Sequence, residues 1–283
     1  MPTWPRPTFA QWFAAVCAAL MLSGCAGTSA PPTTDAAPAA AVAGAMAAPA
    51  SGPPRSILWV GNSFFYYNNS LHGHVGQLAS AAKAPLRGTS VTISGSGLDW
   101  HDLPSLLRAD GIGRYSFVGD NQIRFNPPGR QFDAVVMMDC SQCPIHPQLS
   151  AAFHSSVKKN AELLKAQGIR PVLFMSWAYK DKPEMTQTLA EAYTAAAKAN
   201  GAMVVPAGLA FARAIAMKPD VELYVADKRH PSLAGTYLAA CTSVATLTGK
   251  SPVGLAYTAG LPAELATLLQ NAAWDTVQAY KQP

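Results

Sequence analysis

The sequence predicts an α/β fold: a three-layer α/β/α sandwich around a central parallel five-stranded sheet. Three observations predict it. Five short apolar runs, at 57–60, 91–93, 134–138, 171–175 and 202–205, lack polar alternation. Strands of that kind are buried on both faces, which implies a parallel sheet. Amphipathic helical segments separate most of them, and alternating strands and helices connect by right-handed crossovers into layers.

The chain divides before that domain begins. Residues 1–24 carry one charge, Arg6, then an 11-residue apolar stretch from Trp12 to Leu22 and the small residues Ser23 and Gly24. This is the pattern of a secretory signal. An 11-residue helix rises only about 16 Å, too short for a hydrocarbon core of ~30 Å. Leu22-Ser23-Gly24-Cys25 resembles the lipobox of bacterial lipoproteins. That resemblance implies acylation of Cys25 as the first mature residue and attachment to the membrane through the lipid. Ala26 follows the cysteine, with no Asp there; by resemblance to lipoprotein sorting in Gram-negative bacteria, this implies the outer membrane rather than retention at the inner one. Residues 25–54 then form a tether: 26–54 hold 12 Ala, 6 Pro and a single charge, Asp35. Proline interrupts any helix the alanines start. The folded domain is expected over 55–283.

Within it, Ile57-Leu58-Trp59-Val60 reads as the first strand, ended by Gly61. Leu71, Val75, Leu78 and Ala82 recur at helical steps, giving a helix over 71–82. Val91-Thr92-Ile93 is the second strand and enters Ser94-Gly95-Ser96-Gly97. Residues 111–130 fit no period and read as a loop or small hairpin. The third strand is 134–138; a helix over 151–166 stops at Gly168. The fourth strand, 171–175, is followed by a helix over 184–199 that stops at Asn200-Gly201. The fifth, 202–205, leads into a helix over 208–217, and 233–247 is expected to be the last long helix. In such sheets the site lies at the carboxyl ends of the strands.

Composition narrows the function. Hydrophobic residues make up 49% of the chain, which excludes a disordered protein. Charged residues make up 13%, about half the usual ~25%. The net charge of +5 is scattered, with no run of five basic residues, so a nucleic-acid face has no support. Beyond the N-terminus no run of about 20 apolar residues offers a membrane span.

Two motifs carry chemistry. Gly61-Asn62-Ser63 follows the first strand, and Asp227-Lys228-Arg229-His230-Pro231-Ser232 precedes the last expected helix. A nucleophilic serine needs a base and a third group to orient that base. Ser63 at a sheet edge, His230 as base and Asp227 on the same loop meet that need. Read alone, Gly-Asn-Ser is a turn with a helix cap, and His before Pro-Ser is a loop residue with Ser232 as cap.

Together the two motifs resemble the SGNH (GDSL-like) hydrolases, whose sheet is flavodoxin-like. The strand before Gly61-Asn62-Ser63 is similar to their first block with Asn in place of the usual Asp. Asp227-Lys228-Arg229-His230-Pro231 is similar to their last, Asp-x-x-His-Pro. The resemblance runs over 57–247. It implies a Ser-His-Asp esterase or acyl hydrolase with no metal or organic cofactor. It also implies an oxyanion-binding N–H from a Gly after the second strand, Gly95 fitting best with Gly97 as alternative. The family's Asn after the third strand is missing from Met138-Asp139-Cys140-Ser141-Gln142-Cys143-Pro144, where Gln142 is the only carboxamide.

The remaining reactive residues are weaker candidates. His72 and His74, two apart on one helix, face different ways, and no histidine pair has zinc spacing. Cys140 and Cys143 have redox-motif spacing but stand in a loop before Pro144, so an oxidising compartment favours a local disulfide. Cys241 is expected to be a buried thiol. The expected activity is cleavage of carboxylic esters, with glycan acetyl esters or small lipid esters as substrates. Tyr66, Tyr67, Trp100, Trp177 and Tyr179 are candidates to line the site. The alternatives are a non-catalytic ligand-binding lipoprotein and a thiol–disulfide protein built on Cys140 and Cys143.

Overall fold

The computed structural model describes residues 52–283 apart from 113, 114, 120, 121, 126 and 128. The expected signal segment, Cys25 and the tether as far as 51 lie outside the described residues. Pro54 is already buried.

The first half of the domain runs β1 (Ser56–Gly61), α1 (Ser63–Tyr66), α2 (Leu71–Ala81), β2 (Arg87–Thr92) and the short α3 (Leu103–Leu106). A small antiparallel hairpin follows, β3 (Tyr115–Gly119) and β4 (Gln122–Phe125), in the segment without a period. The second half runs β5 (Ala134–Met137), α4 (Ser150–Ala166), β6 (Arg170–Phe174), α5 (Met185–Asn200), β7 (Met203–Val205), α6 (Ala207–Met217), α7 (Leu233–Thr248) and α8 (Ala263–Ala279).

The main sheet has five parallel strands in the order β2-β1-β5-β6-β7. The chain leaves β1 towards β2 on one side and returns to β5 on the other. Their carboxyl ends therefore form a topological switch point, where open α/β sheets bind ligands. Register places Ile57 beside Ala134 and Val60 beside Met137, so both strands end level with each other.

Successive strand residues feed two cores. Ile57, Trp59, Val136 and Phe174 pack with α2, α6, α7 and α8. Leu58, Val60, Val135 and Leu173 pack with α3, α4 and α5. This is the predicted three-layer sandwich. α7 is buried on nearly every face. Three of its buried hydroxyls are satisfied within the helix: Thr242, Ser243 and Thr248 donate to the carbonyls of Leu238, Ala239 and Val244.

Two expectations need correction. The second strand starts at Arg87, not at Val91, and its residues are mostly half-buried. As one of the two edge strands it pairs on one side only, so Arg87, Thr89 and Ser90 are tolerated and mask the apolar signal. The helix over 233–247 is also not the last. α8 follows Pro262 and buries Ala266, Leu269, Ala272 and Ala273 over α6 and α7.

α6 approaches the end of β6 so closely that only glycine fits. A Cβ on Gly208 would lie 2.3 Å from the Ser176 carbonyl oxygen and 3.3 Å from Trp177 Cα. Both are backbone atoms, and neither can swing aside. Gly208→Ala is expected to lower unfolding stability by about 1–3 kcal/mol, the usual cost of overpacking, as a reduced urea midpoint with unchanged m-value.

Candidate active site

The site forms where β1 gives way to α1. Asn62 caps that helix, its Oδ1 accepting from the Phe64 N–H at 3.2 Å. Its Nδ2 donates to two carbonyls, Ser96 at 3.0 Å and Asp139 at 3.1 Å. One side chain thereby ties together the loops that follow β1, β2 and β5. Ser96 adds a bond from Oγ to the Gly61 carbonyl. With its one proton so placed, that Oγ accepts from His101 Nε2 at 3.0 Å.

Ser63 is the first residue of α1, only 7% exposed. Its N–H stands at the helix start, where no intrahelical acceptor exists. Its Oγ lies 2.7 Å from His230 Nε2. His230 Nδ1 lies 2.5 Å from Asp227 Oδ2. The other Asp227 oxygen accepts the backbone N–H groups of Arg229 and His230, each at 2.9 Å. One carboxylate thus folds the loop and orients the ring. Nδ1–H pointing at the carboxylate leaves Nε2 free to accept from Ser63. Burial opposes ionisation of Asp227, but these hydrogen bonds outweigh it and hold the carboxyl at about 2.

Aromatic rings hold the imidazole on two sides. Tyr67 lies flat against it at 4.4 Å between centroids and 9° between planes. Phe64 meets it edge-on at 5.3 Å and is itself stacked on Trp177 at 4.7 Å. Trp177 stacks in turn on Phe211 at 4.2 Å, and its Nε1 donates to the Arg229 carbonyl. On the far side Asn68 Nδ2 donates to the Pro231 carbonyl at 3.0 Å and to Thr236 Oγ1 at 2.8 Å. Tyr67 and Asn68 hold the histidine loop through partners more than 160 residues away, a role that spacing within the sequence cannot signal.

The other sequence candidates divide. Gly95 is exposed with φ +71°, in a loop tied down by Ser96 and by the bond from Tyr66 Oη to Ser94 Oγ. Gly97 is buried. The Gln142 side chain is exposed and makes no hydrogen bond among the described residues. Cys140 and Cys143 are joined in a disulfide, their Cα atoms 5.1 Å apart. They gather with Asp139 within 4.8 Å, but the disulfide occupies both sulfurs, so this is not a metal-ligand set. Cys241 is a buried free thiol. Trp177 and Tyr179 are core residues, while Tyr66 and Trp100 are exposed. His74 is fully engaged, with Nδ1 against Tyr257 Oη and Nε2 against the Asn68 carbonyl.

No family model and no curated protein sequence matches the chain. Solved structures do. A DUF4886 family protein from Bacteroides uniformis superposes with a TM-score of 0.57 at 17% identity, over 80% of this chain and 95% of that one. A proposed SGNH hydrolase from Slackia heliotrinireducens gives 0.50 at 26% identity, over 68% and 98%. A GDSL-like lipase, so assigned provisionally, from Parabacteroides merdae gives 0.50 at 15%, over 71% and 99%. The fold is that of the SGNH hydrolases. In this SGNH fold the switch point of the sheet is the place that Ser63 and Asp139 occupy, just beyond β1 and β5.

Asp139, which the sequence analysis passed over, is 3% exposed. Burial pushes its carboxyl up to about 6, against the bonds that its Oδ1 accepts from the Leu98 and Cys140 N–H groups. The unfolded chain ionises this group near ~3.9, so between about pH 4 and 6 the folded state holds more protons. Its contribution to stability is therefore largest below about pH 4 and declines as pH rises to about 6, by up to about 3 kcal/mol. Asp139→Asn keeps an acceptor oxygen without the charge. Urea unfolding across that window should show a flatter pH dependence in the variant and greater stability than wild type at pH 7.

Proposed function

We propose that the protein is a serine hydrolase of carboxylic esters working through an acyl-enzyme on Ser63. The observation that carries this reading is the Ser63–His230–Asp227 relay, with contacts of 2.7 and 2.5 Å, at the switch point of the sheet. The 26% identical Slackia heliotrinireducens protein, itself a proposed SGNH hydrolase, supports it. A protein that only binds a ligand has no use for a histidine held in the base tautomer.

In the first half-reaction Ser63 Oγ bonds to the ester carbonyl carbon as its proton passes to His230 Nε2. The tetrahedral intermediate collapses, the bond to the alcohol oxygen breaks, and His230 returns the proton to that oxygen. Water, deprotonated by the same imidazole, then attacks the acyl-Ser63 carbonyl. It releases the carboxylic acid and restores the serine. Asp227 stays ionised throughout and stabilises the imidazolium. The oxyanion is assigned to the Ser63 N–H, the Gly95 N–H and the Gln142 carboxamide. Each of these steps uses side chains and backbone of the chain itself.

Wild-type protein is expected to hydrolyse p-nitrophenyl acetate, and Ser63→Ala to lose at least about a thousandfold in kcat. Circular dichroism should show the variant folded. Substantial turnover by the alanine variant would move the nucleophile elsewhere.

We also propose that Cys25 is lipidated and anchors the domain to the outer membrane through the tether, on the strength of the lipobox resemblance. Cys25→Ser should shift the protein from the membrane to the soluble fraction and abolish incorporation of labelled fatty acid. Label retained by the serine variant would refute the anchor.

A further inference from the structure

A bound ester must meet two loops at once. Its leaving oxygen faces His230, and its carbonyl oxygen faces the donors after β2 and β5. Contacts join these loops through Arg229. Ser63 Oγ lies 2.7 Å from His230 Nε2, and Arg229 immediately precedes His230. The guanidinium carbon of Arg229 lies 4.8 Å from the centre of the Tyr179 ring, over its face. Tyr179 Oη and Ser141 Oγ are 2.7 Å apart. Two residues before Ser141, the Asp139 carbonyl accepts from Asn62, which precedes Ser63. The circuit starts and ends at the candidate nucleophile, and Arg229 is the one residue on it with a permanent positive charge. We propose that Arg229 is a specificity-determining residue that binds a carboxylate carried by the substrate, so that the preferred ester is an anion. The proposal rests on the ester-hydrolase reading above.

The side chain is free for that role. The backbone of Arg229 is already secured, its N–H donating to Asp227 Oδ1 at 2.9 Å and its carbonyl accepting from Trp177 Nε1 at 2.9 Å. Closure of the loop therefore does not need the guanidinium. Arg229 is exposed, whereas Tyr179 beneath it is buried. Contact with a ring face holds a guanidinium without using any of its five N–H donors. Among the described residues none of those donors has an acceptor, and no carboxylate lies within ion-pair distance. Asp227, two residues away, directs Oδ2 at His230 Nδ1 and Oδ1 at two backbone N–H groups. Two other cations of these loops are engaged: Lys228 pairs with Asp181 at 3.6 Å and Lys180 with Glu222 at 2.9 Å.

The chemistry of the group selects the ligand. The planar fork of a guanidinium matches a carboxylate through two parallel hydrogen bonds. One guanidinium balances one negative charge, which suits a carboxylate better than a phosphate dianion. A neutral sugar or an alkyl chain would leave the charge unanswered. The ring beneath restrains the guanidinium before any ligand arrives, so less side-chain entropy is lost on binding. Lysine would bring the same charge but neither the fork nor the stacking.

Two pairs of esters test the proposal and locate the carboxylate. In p-nitrophenyl hemiglutarate it stands on the acyl side, where p-nitrophenyl valerate has a methyl. In p-acetoxybenzoate it stands on the alcohol side, where p-tolyl acetate has a methyl. Wild type is expected to favour the anionic member of one pair in kcat/KM. Arg229→Gln should lower the anionic-to-neutral ratio in that pair roughly three- to tenfold, the worth of a charge-assisted pair open to water. Cooperative thermal unfolding should be retained. Arg229→Lys should restore part of the ratio, and high salt should lower it in wild type but not in the glutamine variant. An equal loss on both members of each pair would leave the side chain only a loop-holding role and overturn the proposal. So would ratios that Arg229→Gln leaves unchanged in both pairs. Hydrolysis of none of the four esters by wild type would overturn the ester-hydrolase reading instead. Calorimetry with monomethyl glutarate and p-acetoxybenzoate then decides the site by itself: binding that Arg229→Gln abolishes keeps the carboxylate site, and binding of neither overturns it as well.

Discussion

The carboxamide of Asn62 is the constraint on which the rest of the site depends. β1, β2 and β5 end level at one edge of the sheet, and three loops leave that edge in different directions. Asn62 sits among them with its two donor protons on the Ser96 and Asp139 carbonyls and its oxygen on the first turn of α1. All three contacts are buried, so each lost bond leaves a backbone group with neither protein nor water to pair with. Ser63 follows directly, and its position is fixed by the same turn. The side chain before the candidate nucleophile thus sets where the nucleophile stands relative to the loops from the second and third strands of the main sheet.

The histidine arrives from the opposite end of the chain and is held by a different kind of force. Asp227 supplies charge-assisted hydrogen bonds that close a tight loop and fix the ring's tautomer. Rings supply the rest. Tyr67 and Phe64 bracket the imidazole, and Trp177 carries the contact down to Phe211 in the core while binding the Arg229 carbonyl. Stacked rings keep few soft torsions once buried. The loop between α6 and α7 is therefore anchored to the aromatic core below and to Asn68 at the side. A loop half-exposed at Asp227 gains a defined geometry from the buried rings of Phe64, Trp177 and Phe211.

How much of this was legible follows from how far apart the interacting residues lie. The interior strands were readable because burial on both faces leaves an apolar run. β2 was readable only at its end, because an edge strand tolerates Arg87 and Ser90 where an interior strand does not. α8 carries its own signal in Leu265, Leu269, Ala272 and Thr276 after Pro262. Ser63, Asp227 and His230 stood out because each belongs to a short block with recognisable local chemistry. Asn62, Tyr67, Asn68 and Asp139 act through partners 34 to 168 residues away. No local pattern encodes such a contact, so their roles became visible only once the chain was folded.

Two departures from the resembled family turn out to be one. The usual first block carries an acid before the serine, and the usual third block carries an Asn after its strand. This chain has Asn62 in the first place and Asp139 in the stretch that lacks the Asn. An Asp at 62 would still cap Phe64, but it would offer no proton to the Ser96 and Asp139 carbonyls. It would also set a second carboxylate beside a buried one whose ionisation is already suppressed. Conversely, an Asn at 139 would still accept from Leu98 and Cys140 through its oxygen. The exchange is therefore asymmetric: with Asp139 buried at the end of β5, position 62 requires a neutral donor, and asparagine is the residue that also caps the helix bearing Ser63. The side chain at 139 fixes the third loop by accepting, and the carboxamide at 62 ties the loops after β2 and β5 by donating while its oxygen caps α1, so a carboxylate at 62 would leave the Ser96 and Asp139 carbonyls unpaired.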